Sequence, residues 1–178
     1  MSVSTWNLDP THSHAEFKVR HLMISNVKGS FPKVAGVLTL EDADPAKSSV
    51  EATIEVASIE TRDAQRDGHL KSADFFDVEK FPTMAFKSTK VTVAGAGTGL
   101  VEGELTIRDV TKTVVFDVEG PTHATKDPWG NLRVGVEATT KISRKEFGLT
   151  WSAPLEAGGV MIGDEVTITL EVEFVKAA

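Results

Sequence analysis

Near the carboxyl end, Val166, Ile168, Leu170, Val172 and Phe174 alternate with Thr167, Thr169, Glu171 and Glu173. Successive side chains of a strand point to opposite faces, so a period of two buries one face and wets the other. The pattern recurs upstream. Val50, Ala52, Ile54 and Val56 alternate with Glu51, Thr53 and Glu55, and Val114, Phe116 and Val118 enclose Val115 and Asp117. Val134, Val136, Ala138, Thr140 and Ile142 repeat the arrangement. An antiparallel sheet of such strands has one apolar face to hide, and curling that face inward hides it while removing exposed edges.

Turn chemistry punctuates the chain at Asp9-Pro10, Lys28-Gly29, Asp44-Pro45, Gly95-Ala96-Gly97, Asp127-Pro128 and Gly158-Gly159. Strands are expected near 3–8, 14–20, 27–31, 34–41, 48–59, 83–94, 98–108, 111–123, 131–143 and 165–175. The segment 61–76 lacks alternation; Leu70, Ala73 and Phe76 recur at helical spacing, and Thr61 is placed to cap a short helix that Gly68 weakens. A turn or second short helix is expected from His21 to Ser25. The class is all-β, an extended antiparallel arrangement of about eight strands with a helical insertion near 61–76.

The 178 residues are read as one domain, and no repeat or linker divides them. Lysine and arginine number 19 against 26 acidic residues, a net charge of −7, with no basic run. Binding to nucleic acid, which needs clustered cations, is not expected, and anionic membrane surfaces are disfavoured on the same ground. No apolar run has the length of a transmembrane helix, and the amino terminus lacks the pattern of a signal peptide. The expected location is cytoplasmic, or extracytoplasmic if the chain is a processed form. Cysteine is absent, which excludes disulfides and thiolate chemistry.

Alternation alone does not separate a closed barrel from two packed sheets, nor a filled interior from one that holds a ligand. Small residues on the apolar face, such as Ala52 and Ala138, leave room. Phe75, Phe76, Phe81 and Phe86 cluster around the non-strand segment, where they form either a mouth or a satellite core. His12 and His14 have metal-ligand spacing if both lie on one strand, but two ligands are not a site, and turn capping by Asp9, Thr11, His12 and Ser13 is the preferred reading. No catalytic residue is assigned. Asp9, His12 and Ser13 lack a glycine-flanked serine elbow, and no nucleotide-binding glycine motif occurs. The charges of 62–69 hold a loop by ion pairs, with Arg66 and His69 placed to meet a polar head group if the loop borders a cavity.

Specific strings add to this. WNLDPTHSHAEFKVRHLMISNVKGSF, RDGHLKSADFFDVEKFPTMAFKS, GELTIRDVTKTV, ISRKEFGLTW and GDEVTITLEVE, in that order, resemble the successive blocks of the YceI-like, polyisoprenoid-binding family. The resemblance implies a lipocalin-like β-barrel with a helical insertion, holding a long isoprenoid chain of polyprenyl phosphate or isoprenoid quinone type and working as a carrier without catalysis or other cofactor. With such an occupant, the residues nominated for the tail are Phe17, Val19, Ile54, Val56, Phe75, Phe76, Phe81, Phe86, Phe116, Val136, Ala138, Ile168 and Leu170. Those nominated for the head group are His21, Arg66 and His69. Two rivals stand beside this reading: an enzyme using His12, His14 or His69 as acid or base, and an interaction module whose interior is packed solid. A homodimer through an exposed edge or the mouth is left open.

Overall fold

A computed structural model of the chain describes residues 3–152 and 161–178; the Gly158-Gly159 turn expected above lies outside them. The strands are β1 (Val3–Leu8), β2 (His14–His21), β3 (Ser25–Ser30), β4 (Val34–Glu41), β5 (Ser49–Glu55), β6 (Thr83–Gly95), β7 (Thr98–Ile107), β8 (Val110–Glu119), β9 (Thr125–Lys126), β10 (Leu132–Ser143) and β11 (Ile162–Lys176). One α-helix, α1 (Ala64–Lys71), interrupts them. Sheet order is β3-β2-β11-β1-β4-β5-β6-β7-β8-β10-β9, and β10 pairs back onto β11. That last pairing closes eight strands, β11, β1, β4, β5, β6, β7, β8 and β10, into an antiparallel barrel.

The longest seam is β10 against β11, in register from Arg133↔Val175 to Ser143↔Glu165. The other edge of β11 is shared. Its carboxyl end pairs with β1 and the rest with β2, and between those two strands lies one 3-10 turn, Pro10–His12. Asp9 caps that turn by accepting from Thr11 N, and buried Ser13 accepts from Glu173 N through its Oγ, so the ladder continues across the break. Arg133 ties the region together, donating to Asp9 at 2.8 Å and Asp127 at 2.8 Å. Hydrogen bonds from His12 and Arg133 hold the Asp9 carboxyl at about 2, and Arg133 does the same for Asp127.

Three sequence expectations are corrected. The strand expected over 48–59 stops at Glu55, because Val56 N turns to donate to Pro82 O and the Ser58 hydroxyl donates back to Glu55 O. Val56 therefore leaves the alternating face and packs in the core at 1% exposure. The strand expected to reach 123 ends at Glu119, where Gly120 takes φ 117°, a conformation that excludes most side chains. Helix α1 is capped by Asp63, whose carboxylate accepts from Gln65 N and Arg66 N, not by Thr61. Thr61 is instead buried, bonded to Asp67 and Arg66.

Two groups of apolar residues sit inside the barrel. The larger, including Phe31, Val56, Ile59, Phe75, Leu105, Phe116 and Phe147, lies towards the helical end, where β10 finishes and β11 begins. Trp6, Leu38, Val134 and Phe174 form the smaller group towards the hairpin end, where β6 turns into β7.

Candidate functional site: an apolar cavity along the barrel

Between those groups the interior is not filled. A cavity of about 980 Å³ is lined from every barrel strand, reaching from Gly97 and Leu40 at the hairpin end to α1, Met161 and Ile162 at the helical end. This volume lies at the top of the ~300–1,000 Å³ range of small-molecule sites, and its walls are overwhelmingly apolar. The packed-solid alternative is therefore corrected. The space follows from residue size. Ala15, Ala52, Ala85 and Ala138 line it where larger side chains would fill it, while Gly103 lets the Phe86 ring pack close: a Cβ there would stand 2.5 Å from both Lys87 O and that ring. Phe86 in turn meets Phe116 edge-on at 5.2 Å.

Fourteen of the nominated residues line this cavity. Phe17, Val19 and His21 come from β2; Ile54 from β5; Phe86 from β6; Phe116 from β8; Val136 and Ala138 from β10; Ile168 and Leu170 from β11. Arg66 and His69 reach it from α1, and Phe75 and Phe76 from the turn that follows. Two nominated residues do not line it. Val56 is in the core for the reason given above. Phe81 lies outside, its ring under the Arg108 guanidinium at 5.5 Å, because Phe81 N turns back to Asp77 O before β6 begins.

The turn capping preferred for this stretch is what the structure has: His12 sits in the 3-10 turn with Nδ1 2.8 Å from Asp9, only His14 begins β2, and the two do not share a strand face. At the helical end the walls become polar. Arg66 donates from Nε to Thr61 Oγ1 at 2.8 Å and from its second nitrogen to Thr61 O, which fixes the guanidinium without neutralising it. His69 bonds Asp74 at 2.8 Å, and its ring meets Phe75 and Trp151 edge-on.

Two cations of this end were missed in the sequence. Arg20 lines the mouth, and Arg144, only 4% exposed, lines the wall. Arg144 donates to Gly163 O, Leu149 O, Trp151 O and Ile162 O, four carbonyls and no carboxylate, and burial pulls its pKa below the usual value. The signal was present, because Arg144 continues the inward even-numbered phase of Val134, Val136, Ala138 and Ile142. Among the described residues, Arg20, Arg66 and Arg144 form no direct ion pair within 4.0 Å; Asp63 lines the same end and Asp164 acts on Arg144 through space, so this end is a charged rim beside an apolar channel. Such an arrangement suits an elongated apolar molecule with one polar end.

Known proteins share this architecture. The Campylobacter jejuni YceI protein superimposes with TM-score 0.75 at 32% identity, over 90% of this chain and 91% of that one. Burkholderia cenocepacia BcnA gives TM-score 0.79 at 22% identity, over 93% and 98%. A polyisoprenoid-binding domain from Saccharophagus degradans gives 0.68 at 15%, over 99% and 100%, a likeness of fold. In sequence, a UPF0312 protein of Staphylococcus aureus is 36% identical over 97% of this chain and 98% of its own length. One from Ectopseudomonas mendocina is 41% identical over 78% of this chain and 72% of its own. The YceI-like domain matches residues 6–174, and with relatives this similar along nearly its whole length the chain belongs to the YceI-like family.

Proposed function

We propose that the barrel is a binding protein and not an enzyme, carrying a long polyisoprenoid lipid with its tail in the cavity and its head at the helical end. The observation that carries this reading is the apolar channel of about 980 Å³ running the length of the barrel. The name of the Saccharophagus degradans neighbour, a polyisoprenoid-binding domain, supports the class of ligand. Apolar burial gains about 0.8 kcal/mol per methylene, so a prenyl tail binds without many polar contacts. Orientation follows from where the cations sit: Arg66 and Arg144 reach the helical end, beside Asp63, whereas Glu41 and Asp42 line the other. Guanidinium groups donate in a fork that fits phosphate oxygens and reach a quinone carbonyl equally well, so the head is a polyprenyl phosphate or an isoprenoid quinone.

The test is native mass spectrometry of the purified protein, paired with mass analysis of its solvent extract. A stoichiometric adduct released as a prenyl lipid is expected. A bare protein that takes up neither added polyprenyl phosphate nor added isoprenoid quinone refutes the proposal.

A further inference from the structure

We infer that the β2–β3 hairpin docks the barrel onto an anionic phospholipid bilayer, with its tip in the interface and the cavity mouth facing the membrane. The inference goes beyond the binding reading and does not depend on which lipid occupies the barrel. At the tip, Leu22 and Met23 both take positive φ, 52° and 61°, and the turn presents Met23 at 56% and Ile24 at 74% exposure. The tip is held in shape by Arg20, which donates to Met23 O at 3.2 Å, and by Leu22 N, which donates to Met161 O at 2.7 Å. Apolar residues that a turn holds out in water are one half of an interfacial anchor.

The other half is charge. On the outward face just behind the tip, Lys18 stands directly opposite Lys28, and Arg20 stands opposite Asn26. Across β11 the row continues through Thr167 to Lys141. Among the described residues, Lys18, Arg20 and Lys28 have no carboxylate partner; Lys141 faces Glu165 at 3.7 Å, and Glu16 lies further down the same face opposite Ser30. Like charges directly opposite destabilise a sheet pair, and an anionic surface covering this pair relieves that repulsion. The sequence, with net charge −7 and no basic run, argued against anionic surfaces. Strand register reverses that argument locally by bringing distant cations together.

Position makes the surface useful, since His21 and Val27 of the same hairpin line the cavity. The apolar residues of the opposite end, Val93 and Leu100, stand near Glu41 and Asp42, which an anionic bilayer repels. A second copy of the chain is a poor occupant, because a two-fold interface sets the same lysines against each other.

The experiment is flotation of the full chain with vesicles of phosphatidylcholine and phosphatidylglycerol in equal parts, compared with phosphatidylcholine alone. Flotation on the anionic vesicles, lost in high salt, is expected. Lys18→Gln with Lys28→Gln lowers the partition coefficient about fivefold per cation, roughly 25-fold together. Ile24→Asp lowers it at least about tenfold. Lys47→Gln, at the far end, leaves it unchanged. Equal binding to neutral vesicles overturns the inference, as does flotation untouched by the hairpin variants, or a dimer in light scattering that Ile24→Asp dissolves while nothing floats. A protein that floats but takes up no isoprenoid supports docking and refutes carriage. One that loads isoprenoid from detergent and does not float overturns docking alone.

Discussion

If the tail occupies the channel, affinity depends on chain length in a way the barrel dictates. The β10–β11 seam runs ten residue steps, from Arg133 to Ser143. At about 3.4 Å per step and a strand tilt of about 40°, the barrel is roughly 26 Å tall. Three backbone bonds of an extended residue span about 3.4 Å, so the four chain bonds of an isoprene unit span about 4.5 Å, and about six units fill the barrel. At a drug-like ~0.3 kcal/mol per atom, each five-carbon unit adds about 1.5 kcal/mol, or roughly tenfold in affinity. Affinity measured by displacement of a fluorescent prenyl probe is therefore expected to climb to about six units and then level off.

Ala138, paired with Leu170, sits midway along that seam. Ala138→Trp cuts the usable length to about three units, so a six-unit chain loses about 4–5 kcal/mol, close to three orders of magnitude, while a three-unit chain keeps its affinity. Overpacking there costs about 1–3 kcal/mol of stability, so circular dichroism must show a folded barrel, and Leu170→Trp provides a second plug at the same height. Affinity that is independent of chain length in the native protein, or six-unit binding untouched by either plug, refutes the channel geometry.

Two further outcomes concern what holds the site. Asp9 and Asp127 are held at about 2 against an ordinary 3.8, so the unfolded chain binds more protons than the native one between those values. Their contribution is complete above about 3.8 and is lost as pH falls toward about 2; Arg133→Met flattens this acid limb in melting curves recorded across that range, chiefly through Asp127, since Asp9 keeps its bond from His12. Arg144→Met leaves four carbonyls without their donor and is expected to cost about 3–5 kcal/mol in urea unfolding; a loss below about 1 kcal/mol contradicts the anchoring assigned to it.

The barrel was legible because its inward phase is written in alternation on β5, β10 and β11, and on β8 apart from the outward Val115. Where the chain breaks phase, alternation alone does not say which residues face inward, and Val91 and Val93 were not nominated. In β6 the register shifts between Ser88 and Lys90, so Met84 and Phe86 face inward on even numbers and Val91 and Val93 on odd ones. Ser88 Oγ accepts from Val50 N, which helps accommodate that shift. Nothing local distinguished Val56 from Ile54, because the turn that removes it is fixed by Pro82, distant in sequence. Phe81 shared the composition of its neighbours but not their direction. The basic surface of the β2–β3 hairpin was hidden for another reason: Lys18 and Lys28 become neighbours only through pairing.

The volume of the interior itself has an energetic consequence. At ~24 cal/mol per Å³, the cost measured for closed cavities, a dry void of about 980 Å³ would cost roughly 20 kcal/mol, more than the ~5–15 kcal/mol that holds a domain together. The channel opens at its mouth, so it is filled by water or by ligand, and its apolar wall favours hydrocarbon over water. Ligand that binds only the folded barrel adds about 2.7 kcal/mol of stability at a hundred times its Kd. For a chain of this size that raises the melting midpoint by about 5–10 °C. Stripping the protein with organic solvent, refolding it and adding back a six-unit prenyl compound should reproduce that rise, with Ala138→Trp showing a smaller one. A midpoint that does not move under saturating prenyl compound means that water, not hydrocarbon, is the native filling, and the carrier reading falls with it.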